Sequence, residues 1–573
     1  MPRRRREGGT ARGGGEKRAY DCYRRRRRRA ADLPKGPTLT DTFPRPEWLE
    51  TARFYEVYPQ SFADSNGDGI GDIPGITAHL DYIRDLGCNA LWINPCFDSP
   101  FKDAGYDVRD YLKVAPRYGT NDDLIALFDA AHRRGMHVLL DLVPGHTSEE
   151  HRWFDISGRA ERNEYSDRYI WTDTWLSDGG GLPFIGGEAP RDGAYIINFF
   201  KCQPALNYGF ARVDRPWQQT TDSPAAQATR QAMIDVMRFW IGQGCDGFRV
   251  DMANSLVKHD DDGKAETIRA WRQMLGTIKS EYPQTAFVSE WGVPDQSLKA
   301  GFDMDFYLDW SWERNGYNRL CRDTPAALDA EHDRSYFSAR GGGSVHGFLD
   351  QYLPQYERTR DKGYFCLLTC NHDTPRLAPR LSERELAVAY AMILTMPGVP
   401  FLYYGDEIGM RYRVLPTKEG GYTRTGTRTP MQWGDGANLG FSSADPADLY
   451  LPVDPAPDAP TVRSQSERAD SLYHWVRAVL ALRDAHRALD AGAAFDVVAA
   501  PEDGRLFAYL RTAADGGERL LVAVNPGLSA ESCTLPDHAT SDGAPTMVLT
   551  RGDAVLDGES LTLGAQSVAV IAV

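Results

Sequence analysis

Two acidic residues end short apolar runs of the sequence and can act together. Asp251 closes the run Gly-Phe-Arg-Val-Asp, and Glu290 closes Phe-Val-Ser-Glu. If these runs are neighbouring strands, the two side chains face one substrate atom. Cleavage of a glycosidic bond needs such a pair, because one group protonates the leaving oxygen while the other attacks or activates water. Arg249 points to the same side of its strand, so we expect its charge to keep Asp251 ionised. The apolar neighbour Trp291 can hold Glu290 protonated for acid work.

Two further apolar runs end in polar residues of the same kind. The segment Asn371-His372-Asp373 adds a third carboxylate beside a histidine, which suits recognition of sugar hydroxyls and stabilisation of a positively charged transition state. Asp141 and His146 lie at the end of another run. Taken singly, each residue is more often a loop hydrogen bonder or a structural histidine. Taken together, they favour one shared site.

The elements that must position these residues follow a repeated strand-then-helix rhythm. From Phe54 onward, short apolar runs alternate about eight times with amphipathic stretches, which predicts parallel strands with crossover helices. We therefore predict an α/β fold, a (β/α)8 TIM barrel, whose chemistry lies at the carboxyl ends of the strands. The predicted strands are Phe54–Tyr58, Ala90–Asn94, His137–Val143, Gly247–Asp251, Ala286–Glu290, Met304–Leu308, Phe365–Cys370 and Val399–Tyr404.

Two parts of the chain depart from this rhythm. The segment between the third and fourth predicted strands is longer than one helix needs and is rich in Trp, Gly and Pro, so we expect an inserted subdomain there. After about Arg487 the pattern changes to short alternating runs, which predict an antiparallel C-terminal β domain. The expected domains are a tail of residues 1–38, a catalytic barrel of 39–485 with the insertion at about 147–207, and a C-terminal β-sandwich of 486–573.

Composition and charge argue against several classes of protein. With 573 residues, the chain is long enough for a large catalytic domain and an attached module. The net charge of −15 disfavours binding to nucleic acid or anionic lipid. No stretch of about 18 apolar residues occurs, so we expect no membrane span. A small neutral substrate suits this composition better.

The cysteines and the N-terminus bear on location. The nine cysteines are odd in number and lack paired metal-ligand spacing, which indicates a reducing compartment. No apolar segment of signal-peptide length follows the N-terminal arginines, so we expect a cytoplasmic protein. Residues 1–38 carry two Arg runs in a Gly-rich stretch without an apolar face, and we predict a disordered basic tail. A nucleic-acid-binding arm is the less favoured alternative.

The strand-end motifs together resemble the alpha-amylase superfamily, glycoside hydrolase family 13, over about residues 48–570. The resemblance lies in the order of Asp141 to His146, Gly247 to Asp251, Glu290, and Asn371 to Asp373. It implies that Asp251 is the nucleophile, Glu290 the general acid/base and Asp373 the stabiliser of the transition state. By the same resemblance, the residues that line the sugar site are Asp141, His146, Arg249 and His372.

Within the superfamily the chain looks most like the branch of oligo-1,6-glucosidases, alpha-glucosidases and trehalose synthases. Four segments carry this likeness, namely residues 103–107, 203–207, 251–254 and 428–433. The resemblance implies that Asp103 and Arg428 form a pair that grips the non-reducing end of the substrate and that Tyr106 stacks on the sugar ring. A solvent-exposed ion pair of little energetic value is the alternative. A pocket closed in this way admits one terminal glucose, so exo action on short oligosaccharides or disaccharides follows.

The segment from Asp64 to Asp72 has oxygen-bearing side chains at alternate positions and Gly at the turn, as a calcium loop requires. Gly75 stands where an EF-hand has its bidentate Glu, which argues against a true EF-hand. The family resemblance implies a structural Ca²⁺ and no organic cofactor, and its ligands would be Asp64, Asn66, Asp68, the Ile70 carbonyl and Asp72. A plain Asx turn is the alternative.

The resemblance implies a double displacement with a covalent glucosyl-enzyme and retention of anomeric configuration. If water is the acceptor, the enzyme is an alpha-glucosidase. If another sugar is the acceptor, it is a transglucosidase, and if the released glucose is retained and attacks again, it is a trehalose synthase. A non-catalytic carbohydrate-binding relative needs a damaged triad, and the triad is present. Three departures from the family pattern, Gly145, Ala205 and Thr374, leave linkage and acceptor preference open.

Overall fold

The computed structural model describes residues 43–308, 315–324, 326–420, 422–535 and 544–573. The predicted tail of residues 1–38 lies outside these described residues. No helix in the described ranges is long and apolar enough to cross a membrane.

Eight parallel strands form one sheet that closes on itself, and the predicted (β/α)8 barrel is confirmed. The strands are β1 (Phe54–Val57), β2 (Ala90–Ile93), β3 (His137–Leu142), β4 (Gly247–Val250), β5 (Ala286–Ser289), β6 (Met304–Phe306), β7 (Tyr364–Cys366) and β8 (Phe401–Tyr403). In sheet order they run β7-β6-β5-β4-β3-β2-β1-β8, so each strand lies beside its neighbour in sequence. A parallel bridge between Leu368 and Phe401 joins the two ends of the sheet.

The helices between the strands surround the barrel. The main ones are α1 (Leu80–Leu86), α2 (Asn121–His132), α3 (Pro224–Gly242), α4 (Ala265–Glu281), α5 (Pro294–Ala300), α6 (His346–Thr359), α7 (Glu383–Thr395) and α8 (Leu472–Ala485). Shorter helices lie at Ile73–Ala78, Gly316–Cys321 and Val462–Ser466. Several of the long helices begin with a side-chain cap: Thr120 accepts from Asp123 N at α2, and Ser382 accepts from Glu385 N at α7. Such caps satisfy backbone donors of the first helical turn.

The barrel is filled by side chains from its own strands, so it is a packed core and not a channel. Trp92, Val288, Phe306 and Phe401 are among the residues of this inner cluster, and each is at most 1% exposed. Gly247 begins β4 with φ +150°, and a Cβ there would lie 1.9 Å from the Ala286 carbonyl oxygen. Glycine therefore allows β4 to approach β5 closely. That approach matters because these two strands carry Asp251 and Glu290.

The chain between β3 and α3 forms the predicted insertion region. It contains the helix Arg152–Ser157 and a hairpin of Phe184–Gly186 with Ala194–Ile196. A small apolar cluster lies inside it, made of Ile170, Ile196, Ala205 and Phe210.

The C-terminal part consists of two antiparallel sheets. The five-stranded sheet contains β9 (Ala494–Ala499), β10 (Phe507–Thr512), β11 (Arg519–Asn525), β13 (Thr546–Arg551) and β16 (Ser567–Ala572), and the three-stranded sheet contains β12 (Glu531–Thr534), β14 (Ala554–Asp557) and β15 (Ser560–Leu563). Leu521 and Ile571 of the first sheet share one apolar cluster with Leu561 and Leu563 of the second. The predicted antiparallel C-terminal domain is thus confirmed.

Candidate active site

Asp251 and Glu290 lie side by side at the carboxyl end of the barrel. Val250 and Ser289, the last residues of β4 and β5, are paired in the sheet, and each carboxylate follows directly. Arg249 joins the two side chains: its Nη1 lies 3.1 Å from Asp251 Oδ1 and its Nη2 lies 2.7 Å from Glu290 Oε2. The backbone N–H of Met252 also donates to Glu290 Oε2 at 2.9 Å. One guanidinium group therefore holds both carboxylates at a single site.

The pKa of Asp251 differs from the sequence-based expectation. Burial, together with the nearby Glu290 carboxylate, raises the pKa of Asp251 well above its usual range, against the opposing charge of Arg249. Arg249 does not keep Asp251 ionised by itself, because it also binds Asp141 at 2.8 Å and so serves three carboxylates. Burial and the neighbouring carboxylates therefore outweigh the guanidinium in setting the pKa of Asp251.

Asp373 is the ionised carboxylate of the site. Its Oδ1 lies 2.7 Å from Arg428 Nη2 and 3.3 Å from Arg424 Nη1, and its Oδ2 lies 3.3 Å from His372 Nε2. Burial by itself would raise the pKa of Asp373, but His372 and the two arginines lower it well below the usual value. A fixed negative charge of this kind stabilises positive charge that develops on a bound sugar.

His372 is held as a cation by Asp373 and by Glu56, and the sequence did not single out Glu56. Glu56 on β1 lies 2.8 Å from His372 Nδ1, and Tyr106 Oη lies 2.5 Å from Nε2. Burial would lower the pKa of His372, but Asp373 and Glu56 raise it to about 9. The Tyr106 ring stacks on His372 with centroids 5.4 Å apart. Tyr106 thus contacts His372 through both its hydroxyl group and its ring. Glu56 sits within an apolar strand without a motif around it, which is why the sequence did not reveal it.

Asp141 and His146 lie in the same wall of the site. Asp141 accepts hydrogen bonds from Trp92 Nε1 at 3.1 Å and from Tyr106 Oη at 3.0 Å, in addition to its contact with Arg249. The two ring nitrogens of His146 lie 2.9 Å from the Tyr106 carbonyl oxygen and 3.1 Å from Asn198 Nδ2. Burial lowers the pKa of His146 to about 4, so the ring is neutral. It therefore shapes the wall through contacts with the protein.

The predicted pairing of Asp103 with Arg428 is wrong. Asp103 Oδ1 lies 2.9 Å from Arg424 Nη2, and Gln203 Nε2 donates to Asp103 Oδ2 at 2.7 Å. Arg428 turns instead to Asp373 and donates from Nε to the His372 carbonyl oxygen at 2.8 Å. Both arginines belong to the region around the 3-10 turn Tyr422–Thr427. The two arginines are only four residues apart, so the sequence allows either of them to pair with Asp103. The backbone conformation of the turn places Arg424, and not Arg428, next to Asp103.

Gly145, the first departure from the family pattern, makes room for Asn198. A Cβ at residue 145 would lie 2.7 Å from Asn198 Nδ2. Asn198 uses that amide to contact His146, and its Oδ1 accepts from Lys258 Nζ at 2.9 Å. Burial lowers the pKa of Lys258 to about 8. An amide from the inserted region thus fills the space that a larger residue at 145 would take. Ala205, the second departure, is fully buried in the apolar cluster of that region.

The loop of the predicted calcium ligands is ordered by Asx turns. Asp64 Oδ1 accepts from Gly67 N at 2.7 Å, Asn66 Oδ1 from Asp68 N at 2.9 Å, and Asp68 Oδ1 from Ile70 N at 2.9 Å. Asp72 caps the following helix by accepting from Gly75 N at 2.6 Å. The donor set of carboxylates, one amide and one carbonyl matches the chemistry of Ca²⁺. However, nowhere in the described ranges do three His, Cys, Asp or Glu side chains group as metal ligands. Calcium stays a prediction.

A separate cavity of about 430 Å³ lies in the inserted region and its edge, with Tyr169, Trp171, Arg191 and Trp217 among its lining residues. None of the predicted site residues lines it.

Comparisons with known proteins agree with this geometry. The family described as alpha amylase, catalytic domain, matches residues 56–492. A protein named trehalose synthase/amylase TreS from Mycolicibacterium smegmatis is 34% identical, over 79% of this chain and 78% of its own length. An oligo-1,6-glucosidase from Heyndrickxia coagulans is 31% identical, over 86% of this chain and 94% of its own. The structure of trehalulose synthase MutB from Pseudomonas mesoacidophila MX-45 superposes with a TM-score of 0.75 and 26% identity, over 94% of this chain and all of its own.

Proposed function

Because the chain belongs to the alpha-amylase family, we propose that it is a retaining enzyme that acts on short α-glucosides from their non-reducing ends, as an α-glucosidase or transglucosidase. The observation that carries this proposal is the single guanidinium of Arg249, which binds Asp251 and Glu290 together. Retaining glycosidases need their two carboxyl groups only about 5–5.5 Å apart. Two groups bound to one guanidinium suit that close approach.

The mechanism assigns one role to each carboxylate. Glu290 gives its proton to the glycosidic oxygen as the bond to C1 breaks, and an oxygen of Asp251 bonds to C1 to form a β-glucosyl ester. Glu290, now a carboxylate, then takes a proton from the acceptor hydroxyl, which attacks C1 and releases Asp251. Asp373 remains ionised throughout and offsets positive charge on the sugar ring. Its charge already acts on Asp251, since it helps to raise the pKa of that group.

Exo action is supported by the side chains that close one end of the site. Arg424 contacts both Asp103, which Gln203 also holds, and Asp373. A charged pair between two loops suits recognition of the hydroxyls of a terminal sugar, and a site closed by it would not admit a continuing chain. The expected substrates are therefore disaccharides and short oligosaccharides.

A second candidate is trehalose synthase, in which the released glucose stays in the pocket and attacks the glucosyl-enzyme again. The similarity to relatives with that name favours it. Both activities use the same three carboxylates, so the acceptor alone separates them. Product analysis on maltose, isomaltose, sucrose and trehalose by anomer-resolved NMR distinguishes hydrolysis, transfer and isomerisation.

The decisive variant is Asp251→Asn, which keeps the size of the side chain and removes the nucleophile. We expect it to lower kcat by about 10⁴-fold or more, because loss of a catalytic nucleophile removes the covalent route. An inverted anomer in any product of the wild-type protein would overturn the mechanism. Sugar binding without turnover in the wild-type protein, unchanged in Asp251→Asn, would instead identify a non-catalytic carbohydrate-binding relative.

Two lesser parts of the proposal concern calcium and location. We propose that the loop from Asp64 to Asp72 takes a structural Ca²⁺ through the five predicted ligands. We also propose a cytoplasmic location, since the eight cysteines in the described residues are all free thiols and thiols persist in reducing compartments.

A further inference from the structure

Glu290 sits at the start of the short turn between β5 and α5, and this turn must hold its carboxyl group steady. The strand ends at Ser289. The backbone of residue 290 is held on one side only: its N–H donates to the Val250 carbonyl oxygen at 3.0 Å, and its carbonyl oxygen accepts from Ala253 N at 3.2 Å. A general acid acts only within hydrogen-bond reach of the leaving oxygen. Shifts of about 1 Å in such groups can lower the rate by about a hundredfold. The contacts that anchor this turn therefore bear directly on catalysis.

Asp305 on β6 provides these contacts on both sides of Glu290. It lies opposite Ser289 in the sheet, and its Oδ1 accepts from Ser289 Oγ at 2.8 Å. The same oxygen accepts from the backbone N–H groups of Trp291 and Gly292, each at 3.2 Å. One carboxylate oxygen thus binds the residue before Glu290 and the two residues after it.

Burial of the Asp305 carboxylate is energetically unfavourable, so a purely structural role does not explain an acid at this position. It is fully buried, and its second oxygen Oδ2 has no hydrogen-bond partner among the described residues. A buried carboxylate with an unsatisfied oxygen destabilises a fold. Burial accordingly raises the pKa of Asp305 to about 7. An apolar residue would pack this position at lower cost, but it could not accept the three hydrogen bonds around Glu290.

We infer that Asp305 is a positioning residue that holds the turn of Glu290 so that the acid/base carboxyl reaches the glycosidic oxygen. The inference rests on the proposed role of Glu290. It predicts a specific kinetic signature, because only substrates with poor leaving groups need the proton. Maltose needs acid assistance at its glycosidic oxygen. α-Glucosyl fluoride loses fluoride as an anion without it, while the bond from Asp251 to C1 forms in both cases.

The test compares kcat/KM for maltose and for α-glucosyl fluoride in Asp305→Ala, Asp305→Asn and a matched control, Asp303→Ala. Asp303 is a buried carboxylate at the opposite end of the strands, where it binds Phe287 N and Lys279. General acid catalysis contributes about 10²- to 10⁴-fold, so a displaced acid should lower the maltose value about tenfold or more in Asp305→Ala. The fluoride value should change less than about threefold. Asp305→Asn keeps an acceptor oxygen and should restore most of the maltose rate.

The outcomes separate the inference from the proposed function. We expect Asp303→Ala to lower kcat/KM for both substrates by the same factor. If Asp305→Ala does the same, Asp305 has only a structural role and the inference is wrong. If Glu290→Gln itself fails to discriminate between the two substrates, the proposed acid/base role is wrong instead. Should Asp305→Ala not fold, Ser289→Ala removes one of the same hydrogen bonds with a smaller change. It should shift the maltose-to-fluoride ratio in the same direction, and an unchanged ratio would refute the inference.

Discussion

Arg424, and not Arg428, should be energetically coupled to Asp103 in catalysis. The perturbation is a pair of double-mutant cycles on kcat/KM for maltose, one with Asp103→Ala and Arg424→Ala, the other with Asp103→Ala and Arg428→Ala. Each cycle isolates the energy that one pair contributes beyond the two single losses. The two arginines lie in one short segment, so each cycle serves as the control for the other.

The contact geometry sets the expected size of the effect. Arg424 Nη2 lies 2.9 Å from Asp103 Oδ1, and the side chains are 20% and 7% exposed, so solvent screens the pair only in part. Residues in direct contact couple by about 0.5–3 kcal/mol, and a nearly buried charge pair should fall at about 1.5 kcal/mol or above. At 1.4 kcal/mol per factor of ten, the double variant should deviate from additivity by about tenfold or more. Arg428 binds Asp373 and has only a longer-range electrostatic interaction with Asp103, so its cycle with Asp103 should give a smaller coupling than that of Arg424.

The assay is steady-state kinetics on maltose for the wild type, the three single variants and the two doubles, with thermal unfolding as a check that all of them fold. Equal or larger coupling between Asp103 and Arg428 would refute the assignment of Arg424 as the partner. Strict additivity in both cycles would show that Asp103 acts without either arginine.

Four further outcomes are expected. The pKa of His372 is raised to about 9 in the folded protein, so its protonation should add up to about 3 kcal/mol to the free energy of unfolding. This contribution should be complete below about pH 6.5 and lost as the pH rises through 9. Measurement of Tm against pH checks this, and His372→Asn should make Tm depend less on pH. Ca²⁺ at a hundred times its Kd should stabilise the fold by about 2.7 kcal/mol and raise Tm, and Asp64→Ala should abolish that rise. If Ca²⁺ does not raise the Tm of the wild type, the loop forms Asx turns without a bound ion and the calcium prediction is wrong. Deletion of residues 1–38 should leave maltose turnover unchanged, and its loss would refute the prediction of a dispensable tail. Gly145→Asn should displace the Asn198 amide, which lies 2.7 Å from the added Cβ, and change the ratio of transfer to hydrolysis; adding Asn198→Gly should reverse the change.

The barrel was predictable because its strands are buried on both faces and therefore appear as continuous apolar runs. All eight predicted strands are present, but they end one to four residues earlier, as β4 does at Val250 where Asp251 was expected to continue it. The overshoot has a physical cause. Residues at the carboxyl ends leave the hydrogen-bonded ladder and turn toward the site, so the polar residues that mark the chemistry are those that no longer belong to the strand.

The sequence by itself determined which residue types stand at the ends of which strands, and hence the carboxylates of the site and the fold that gathers them. Only the tertiary structure decided which cation each carboxylate contacts: Asp103 binds Arg424, 321 positions away, and Arg249 is divided among three acids. Strand ends follow from local burial patterns that recur along the chain. Ion pairs between distant loops depend on where the backbone of each loop places a side chain to within about an ångström, and no local pattern of residues encodes that distance.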